Sequence, residues 1–367
     1  MTNIIVIGGG ITGSLITYFL ARNGIPATLI ENSGIGEQAS GQNPGGLNPL
    51  HGPCIPGTMS EFALRSFRLH QEHLNNITKL SGLDYQWNYV SRIEVAFNND
   101  EITKLHNMAA LYNNTEGFSA TYLDQQELLQ IEPTISDNVV AGLLLKGNVI
   151  VNGHTYTVAA AEAARSLGAS VIDANVSGLK HDGARVTGVQ FNDETLDCDA
   201  VILATGPWAS EADKWLGKKI AVMPVKGELL LVDMQGQQLN HHFTRSTMGI
   251  YNLPQGKAML GGTWEQAGFN VKPTQQGYDK IINGVAEFMP CIREAKIERH
   301  MAALRPVTQD GLPILGKISD FDNAFVATGA GSKGMLLATG MAESIVNLVS
   351  REKPGLPLDQ FSPERFQ

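Results

Sequence analysis

The stretch Ile4-Ile5-Val6-Ile7-Gly8-Gly9-Gly10-Ile11-Thr12-Gly13, followed by a helical run and then Ala27-Thr28-Leu29-Ile30-Glu31, decides how this chain is read. A short apolar run that opens on a glycine-rich turn and a helix, then a second apolar run, is a βαβ unit. Each glycine has a separate task. Gly8 makes the tight strand-to-helix turn, Gly10 lets a pyrophosphate approach the backbone, and Gly13 lets the helix pack closely on the sheet. Gly24 ends the helix. The helix N-terminus at Ile11 and Thr12 offers unpaired N–H groups and a positive dipole end to the pyrophosphate. Glu31 closes the second strand, where a carboxylate can accept hydrogen bonds from an adenosine ribose. A glycine-rich turn alone could serve packing; strand, helix and acid in register point to a bound dinucleotide.

The rest of the composition agrees with a small-molecule protein. The 367 residues suffice for two domains, or for one large α/β unit with an inserted lobe; 43% are hydrophobic and 17% charged. A formal charge of −9 argues against nucleic acid as a partner, which would need clustered Lys and Arg. No apolar run reaches the length of a membrane span. The first strand begins too near the N-terminus to leave room for a signal peptide, so a cytoplasmic location is expected. Cys54, Cys198 and Cys291 are too few and too scattered for a disulfide framework or a metal site.

Three segments read as nucleotide-domain material and two do not. The expected ranges are 1–80, 147–222 and 298–367 for an FAD-binding part, with 81–146 and 223–297 forming a substrate part. Between Ser33 and Pro56 the run Ala39-Ser40-Gly41-Gln42-Asn43-Pro44-Gly45-Gly46-Leu47 reads as a backbone-lined loop pressed against the cofactor. Helices are expected over about 60–80, 100–111, 124–130 and 158–167, and strands over 89–97, 170–172, 228–232, 248–253, 258–262 and 324–328. Ala200-Val201-Ile202-Leu203 is a buried strand that runs into Ala204-Thr205-Gly206, with Pro207 and Trp208 after it. Gly329-Ala330-Gly331-Ser332-Lys333-Gly334-Met335 opens an apolar helix that runs to about Val349.

With these motifs in place, the chain resembles the D-amino-acid oxidase and glycine/sarcosine oxidase family of FAD enzymes. The likeness is carried by Gly8 to Glu31, Ala39 to Gly46, Ala204 to Trp208, and Leu304-Arg305-Pro306 with Asp310 to Gly316. It implies an α/β, two-domain architecture: a Rossmann-type, glutathione-reductase-like FAD domain and a discontinuous antiparallel-sheet substrate domain. It also implies that Val176 joins the cofactor-contacting positions, and that FAD is bound non-covalently. Sarcosine oxidases link flavin through a cysteine at a place occupied here by Ala303-Leu304-Arg305-Pro306.

The resemblance further assigns Arg305 to the substrate carboxylate, as a planar guanidinium suits a bidentate anion. The competing expectation is an arginine paired with Asp310. Tyr251 is placed as a second hydrogen-bond donor to that carboxylate, against the alternative of an ordinary sheet tyrosine. Trp264 is either a pocket or a core residue. His51 is read as a hydrogen-bonded loop histidine, and His241-His242 as no metal pair, since no third ligand is suitably spaced. Where the glycine-oxidase branch has a further arginine near the last helix, this chain has Ser332 or Lys333.

The implied reaction is oxidation of a C–N bond in a small amino acid or N-methyl amino acid, with oxygen or another acceptor taking the electrons. Met259 stands where sarcosine oxidases carry an oxygen-activating lysine, which weakens the oxidase reading against a dehydrogenase. Two other readings stay open: a flavin-dependent tRNA wobble-uridine modification enzyme, and a flavoprotein subunit of a heteromeric amino-acid dehydrogenase. Assembly as a homo-oligomer is open as well.

Overall fold

The computed structural model describes residues 3–366. Met1, Thr2 and Gln367, which fall in the outer expected ranges, lie outside the described residues. The chain divides into two compact units. One comprises the segment up to Gln86, Val151–Val225 and the segment from Leu304; the other comprises Trp87–Ile150 and Lys226–Ala303.

The first unit is built on a six-stranded sheet in the order Ile314–Lys317, Ala324–Thr328, Ala200–Leu203, Ile4–Ile7, Ala27–Glu31, Ser170–Asp173. All neighbours are parallel except the Ile314–Lys317 edge. Central strands covered on both faces need apolar residues at every position, and Ile4–Ile7 and Ala200–Leu203 are buried throughout. On one face lies the helix Ile11–Arg22, buried at every residue but Thr12 and Arg22. It packs against the helices Gly153–Ser166 and Gly334–Val349. The small Ala159, Ala160, Ala161, Ala163 and Ala164 side chains let these helices approach closely.

The other face was not foreseen. A three-stranded antiparallel sheet, Val176–Asp182, Arg185–Phe191 and Glu194–Asp197, lies there. It contributes Val176, Leu179, Val186, Val189 and Phe191 to a core shared with Ile5, Ile7, Val201 and Leu203. Its second hairpin turns on Asn192 and Asp193, both with positive φ (47° and 63°), the turn chemistry that Asn and Asp tolerate best.

The second unit holds strands in the order Lys296–Val307, Met223–Asp233, Lys257–Gly261, Met248–Leu253, His242–Arg245, Asn88–Ala96, Ala141–Ile150, with Ser119–Asp124 also pairing with the last of these. The expected antiparallel character needs one correction. His242–Arg245 runs parallel to Asn88–Ala96, with His242 opposite Arg92 and Thr244 opposite Glu94. Ile93, Val95, Leu230, Phe243, Ile250 and Leu260 form a core with Ile281, Val285 and Phe288 from the segment around the helix Gln275–Ala286. That helix and the Ser119–Asp124 strand lie where no element was expected. Asp124 is not helical but caps the helix Gln125–Ile131 through a reciprocal box with Glu127.

Candidate functional site

In the first unit the glycine turn is shaped by the chain's own backbone. Gly8 takes φ +106°, and its N–H donates to the Ile30 carbonyl at 2.8 Å. A Cβ on Gly8 would lie 2.5 Å from the Ala204 carbonyl oxygen, and one on Gly13 would lie 1.9 Å from the Gly8 carbonyl oxygen. Ala204, whose N–H donates to Ile7, thus lies directly against the turn. Gly10 differs. It is the N-cap of the Ile11–Arg22 helix and has no side chain of its own to cap it, and a Cβ there would meet only the Ser40 hydroxyl at 3.2 Å. The space beside Gly10 is closed by no backbone, and the helix end beside it has orphan N–H groups.

Glu31 is held at the tip of its strand by four donors. Oε2 accepts the Gly9 N–H at 2.6 Å, and Oε1 accepts the N–H groups of Asn32 and Ser33 and the Ser33 hydroxyl at 2.8–2.9 Å. Ser40 Oγ accepts the Ile11 N–H at 2.9 Å, so the loop after Ser33 reaches the helix start. Asn43, which the sequence reading passed over, organises that loop. Its amide donates to the carbonyls of Ala39 and Ser40 and its oxygen accepts the Gly45 N–H.

The loop's glycines answer to the chain itself more than to an open face. A Cβ on Gly45 (φ +76°) would lie 1.7 Å from the Val151 carbonyl oxygen, and one on Gly41 would lie 2.4 Å from that of Gly36. Only Gly46, with nothing within 4 Å, is exposed. Leu47 is fully buried.

Thr205 caps the 3-10 segment Gly206–Glu211 that contains Trp208. The Gly206 carbonyl accepts the Thr328 hydroxyl at 2.7 Å. Val176 turns its side chain into the core, so it can offer a ligand only its backbone. Gly331–Lys333 is a 3-10 turn leading into the helix Gly334–Val349. Ser332 is exposed and Met335 buried. The Lys333 ammonium donates to the Asn48 carbonyl at 3.2 Å, which ties the loop to the helix start.

Behind this turn His70 Nε2–H donates to the carbonyls of Met335 and Leu336 at 2.9 and 3.0 Å. Its Nδ1 is therefore left to accept the Tyr156 hydroxyl at 2.9 Å. Burial pushes the His70 imidazole down to about 4, against the opposing pull of those carbonyls.

Arg305 is half-buried in the strand Lys296–Val307. The carboxylate named as its alternative partner is engaged elsewhere: Asp310 is held by Arg365, with Nε to Oδ2 at 2.8 Å and Nη2 to Oδ1 at 3.2 Å.

In the second unit Tyr251 is half-buried on Met248–Leu253, opposite Met259 in the ladder. Its ring lies 5.8 Å from that of His242. Trp264 is 49% exposed, which removes it from the core. His241 Nδ1 is bonded to the Ser91 hydroxyl. Among the described residues no group of His, Cys, Asp and Glu could hold a metal ion, and no helix is long and apolar enough to cross a membrane. Two buried nitrogens of Arg92, Nε and Nη2, have no hydrogen-bond partner.

A parallel sheet with a helix N-terminus behind a glycine turn and a carboxylate at the next strand end is the framework of a dinucleotide-dependent oxidoreductase. The chain belongs to the DAO family of FAD-dependent oxidoreductases, whose family model matches residues 3–348. FAD is therefore its cofactor, and the donors and open space around Gly10 fit it. A glycine oxidase of Bacillus licheniformis is 28% identical over 94% of this chain and 92% of its own length. A hydrogen cyanide synthase subunit of Pseudomonas aeruginosa is 26% identical over 100% and 96%. The crystal structure of glycine oxidase from Geobacillus kaustophilus superposes with a TM-score of 0.90 at 24% identity, covering 100% of this chain and 99% of that one.

Proposed function

We propose that this chain oxidises the C–N bond of a small amino acid or N-methyl amino acid, with FAD held non-covalently along Gly8–Gly13, Glu31, Ala39–Leu47 and Ala204–Gly206. The observation that carries this reading is the likeness to a glycine oxidase along nearly the whole chain. Bound FAD supplies a two-electron acceptor. The protein's own share is positioning. Arg305 presents two parallel N–H donors to the substrate carboxylate and so fixes orientation as well as charge. Tyr251 adds a hydroxyl donor. Holding the carboxylate fixes the direction of the Cα–H bond, and this geometry with a neutral amine is what the oxidation requires. The oxidised product is an imine, which water hydrolyses to an oxo acid and ammonia or a primary amine.

The test is anaerobic bleaching of the flavin absorbance across a panel of amino acids, N-methyl amino acids and carboxylate-free amines. Bleaching by carboxylate-bearing substrates is expected; bleaching by simple amines alone would overturn the reading. The relative named as a subunit favours one alternative, a flavoprotein that turns over only with partner chains. Steady-state turnover by the purified chain with oxygen or an artificial acceptor separates the two.

A further inference from the structure

One amide holds both ends of the loop that closes on the glycine turn. Asn43 Nδ2 donates to the carbonyls of Ala39 and Ser40 at 2.9 and 2.7 Å, and Oδ1 accepts the Gly45 N–H at 2.7 Å. Two carbonyls on one side and an N–H on the other fix which way the amide faces. Of the side chains this short, only a carboxamide brings two N–H donors and an acceptor together. Ionised aspartate has no donor, and serine has one.

The loop needs such a tie. Gly41, Gly45 and Gly46 give its backbone a freedom that must be lost when the loop takes one shape. Pro44 restrains only its own φ and the backbone of Asn43. Three bonds then join the loop to its surroundings. The Gly36 N–H donates to the Gly9 carbonyl at 3.0 Å, the Ile11 N–H donates to Ser40 Oγ at 2.9 Å, and the Val151 N–H donates to the Gly45 carbonyl at 3.1 Å. Two of these reach the glycine turn and the helix start behind it. The far side is filled by the start of the helix Gly153–Ser166. A Cβ on Gly153 would lie 2.5 Å from the Ser40 carbonyl oxygen and 3.0 Å from Asn43 Nδ2. Each of these contacts joins two parts of the chain within the first unit, so the polypeptide itself sets the form of the loop.

Ser40 connects that form to the cofactor. Its carbonyl is held by Asn43, and its hydroxyl stands 3.2 Å from where a Gly10 Cβ would be. A loop that drifts takes Ser40 out of its place beside Gly10. We propose that Asn43 is a positioning residue for FAD: it sets the Ala39–Leu47 loop in its receiving form ahead of binding, so that the cofactor enters a site already built. The proposal rests on the placement of FAD given above. Without the amide only a fraction of the molecules hold the loop in place, and the apparent affinity falls by that fraction.

The experiment follows flavin fluorescence after dilution of the FAD-loaded protein. The final level across a dilution series gives Kd, the time course gives the dissociation rate constant, and their quotient gives the association rate constant. Asn43→Ala should raise Kd on the order of ten- to a hundredfold. The loss should fall on association, with dissociation changed by less than about threefold. A side chain that acted by gripping bound FAD would act on dissociation instead, as lost contacts commonly do. Asn43→Ser, which keeps one hydroxyl, should fall between wild type and the alanine variant. It carries the measurement if Asn43→Ala does not fold, which the thermal midpoint reports. An unchanged Kd in Asn43→Ala, with FAD lost from Gly10→Val, would overturn the proposal and leave FAD on the glycine turn. A raised Kd that comes entirely from faster dissociation would also sink it, since the amide would then act on FAD already bound. A normal Kd in both Asn43→Ala and Gly10→Val would remove the placement of FAD as well.

Discussion

Gly10 and Gly13 lie three residues apart in one turn, yet substitution should affect them differently. A Cβ on Gly13 would sit 1.9 Å from the Gly8 carbonyl oxygen, so Gly13→Ala forces the helix off the sheet. It should destabilise the fold by about 1–3 kcal/mol, the usual cost of overpacking, read as a lower thermal midpoint even without flavin. Gly10→Val adds bulk where only a serine hydroxyl stands nearby. It should leave the apoprotein's midpoint little changed and abolish FAD occupancy on purification; full occupancy would show that the pyrophosphate lies elsewhere. Arg305→Ala should leave the flavin spectrum intact and lower kcat/KM for amino acids a hundredfold or more, about 3 kcal/mol. Lysine at this position should restore little of it. Losses of the same size with carboxylate-free amines would make Arg305 structural. At this scale the sequence was legible where covalent geometry demands one residue type, as at Gly8 and Gly13. It was illegible where a role depends on how a loop closes, as at Asn43, whose bonds to Ala39, Ser40 and Gly45 follow from no local pattern.

Elements repeat that division. Ile4–Ile7, Ala200–Leu203 and Ala324–Thr328 could be read because doubly covered strands must be apolar at every position. The helix Gln275–Ala286 could not, since Gly277 and Gly284 interrupt its apolar face. What secures that helix is a buried carboxylate from another strand. Glu228, with no exposed side-chain surface, accepts the Thr274 N–H and hydroxyl at the helix N-terminus, where a negative charge is favoured. Lys226 (2.8 Å) and His300 (2.7 Å) pair with the same carboxylate. Burial alone would raise the Glu228 carboxyl, but bonds from Lys226, Thr274 and His300 outweigh it and hold the group below its ordinary value. Removing one partner of a buried pair leaves an uncompensated charge. Lys226→Met should therefore cost about 3–5 kcal/mol in denaturant unfolding, while the double change Lys226→Met with Glu228→Leu should recover part of it. A single-site loss under 1 kcal/mol would show that His300 or solvent already meets the Glu228 charge.

Taken as a whole, the chain buries imidazoles in both of its units, and this sets how it responds to acid. Burial is the leading cause at His70, His73 and His242, and each is pushed down to about 4. Arg22 and Arg65 add to the effect at His73, and Arg92 and His241 add to it at His242. The hydrogen bonds agree with a neutral ring. Arg22 Nη1 donates to His73 Nε2 at 3.1 Å, a contact that needs a lone pair on that nitrogen. In the unfolded chain these groups titrate near 6.5. Between pH 6.5 and 4 the unfolded state binds protons that the folded state refuses, so stability must fall as pH falls through this window. The contribution is fully present above 6.5. The carboxylates held low, Glu228, Glu101 and Asp310, act in the same direction but only below their unfolded values near 4 to 4.5. In the interval from pH 6.5 to about 4.5 the three histidines therefore act against Glu94, whose carboxyl burial raises, and three rings outweigh one carboxyl. The thermal midpoint of the flavin-free chain should decline across it, and His73→Gln, which keeps a donor and an acceptor without a titrating ring, should flatten the decline. A midpoint constant from pH 7 to 4.5 would mean that these rings can be protonated in place, and that the burial which keeps them neutral is not maintained in solution.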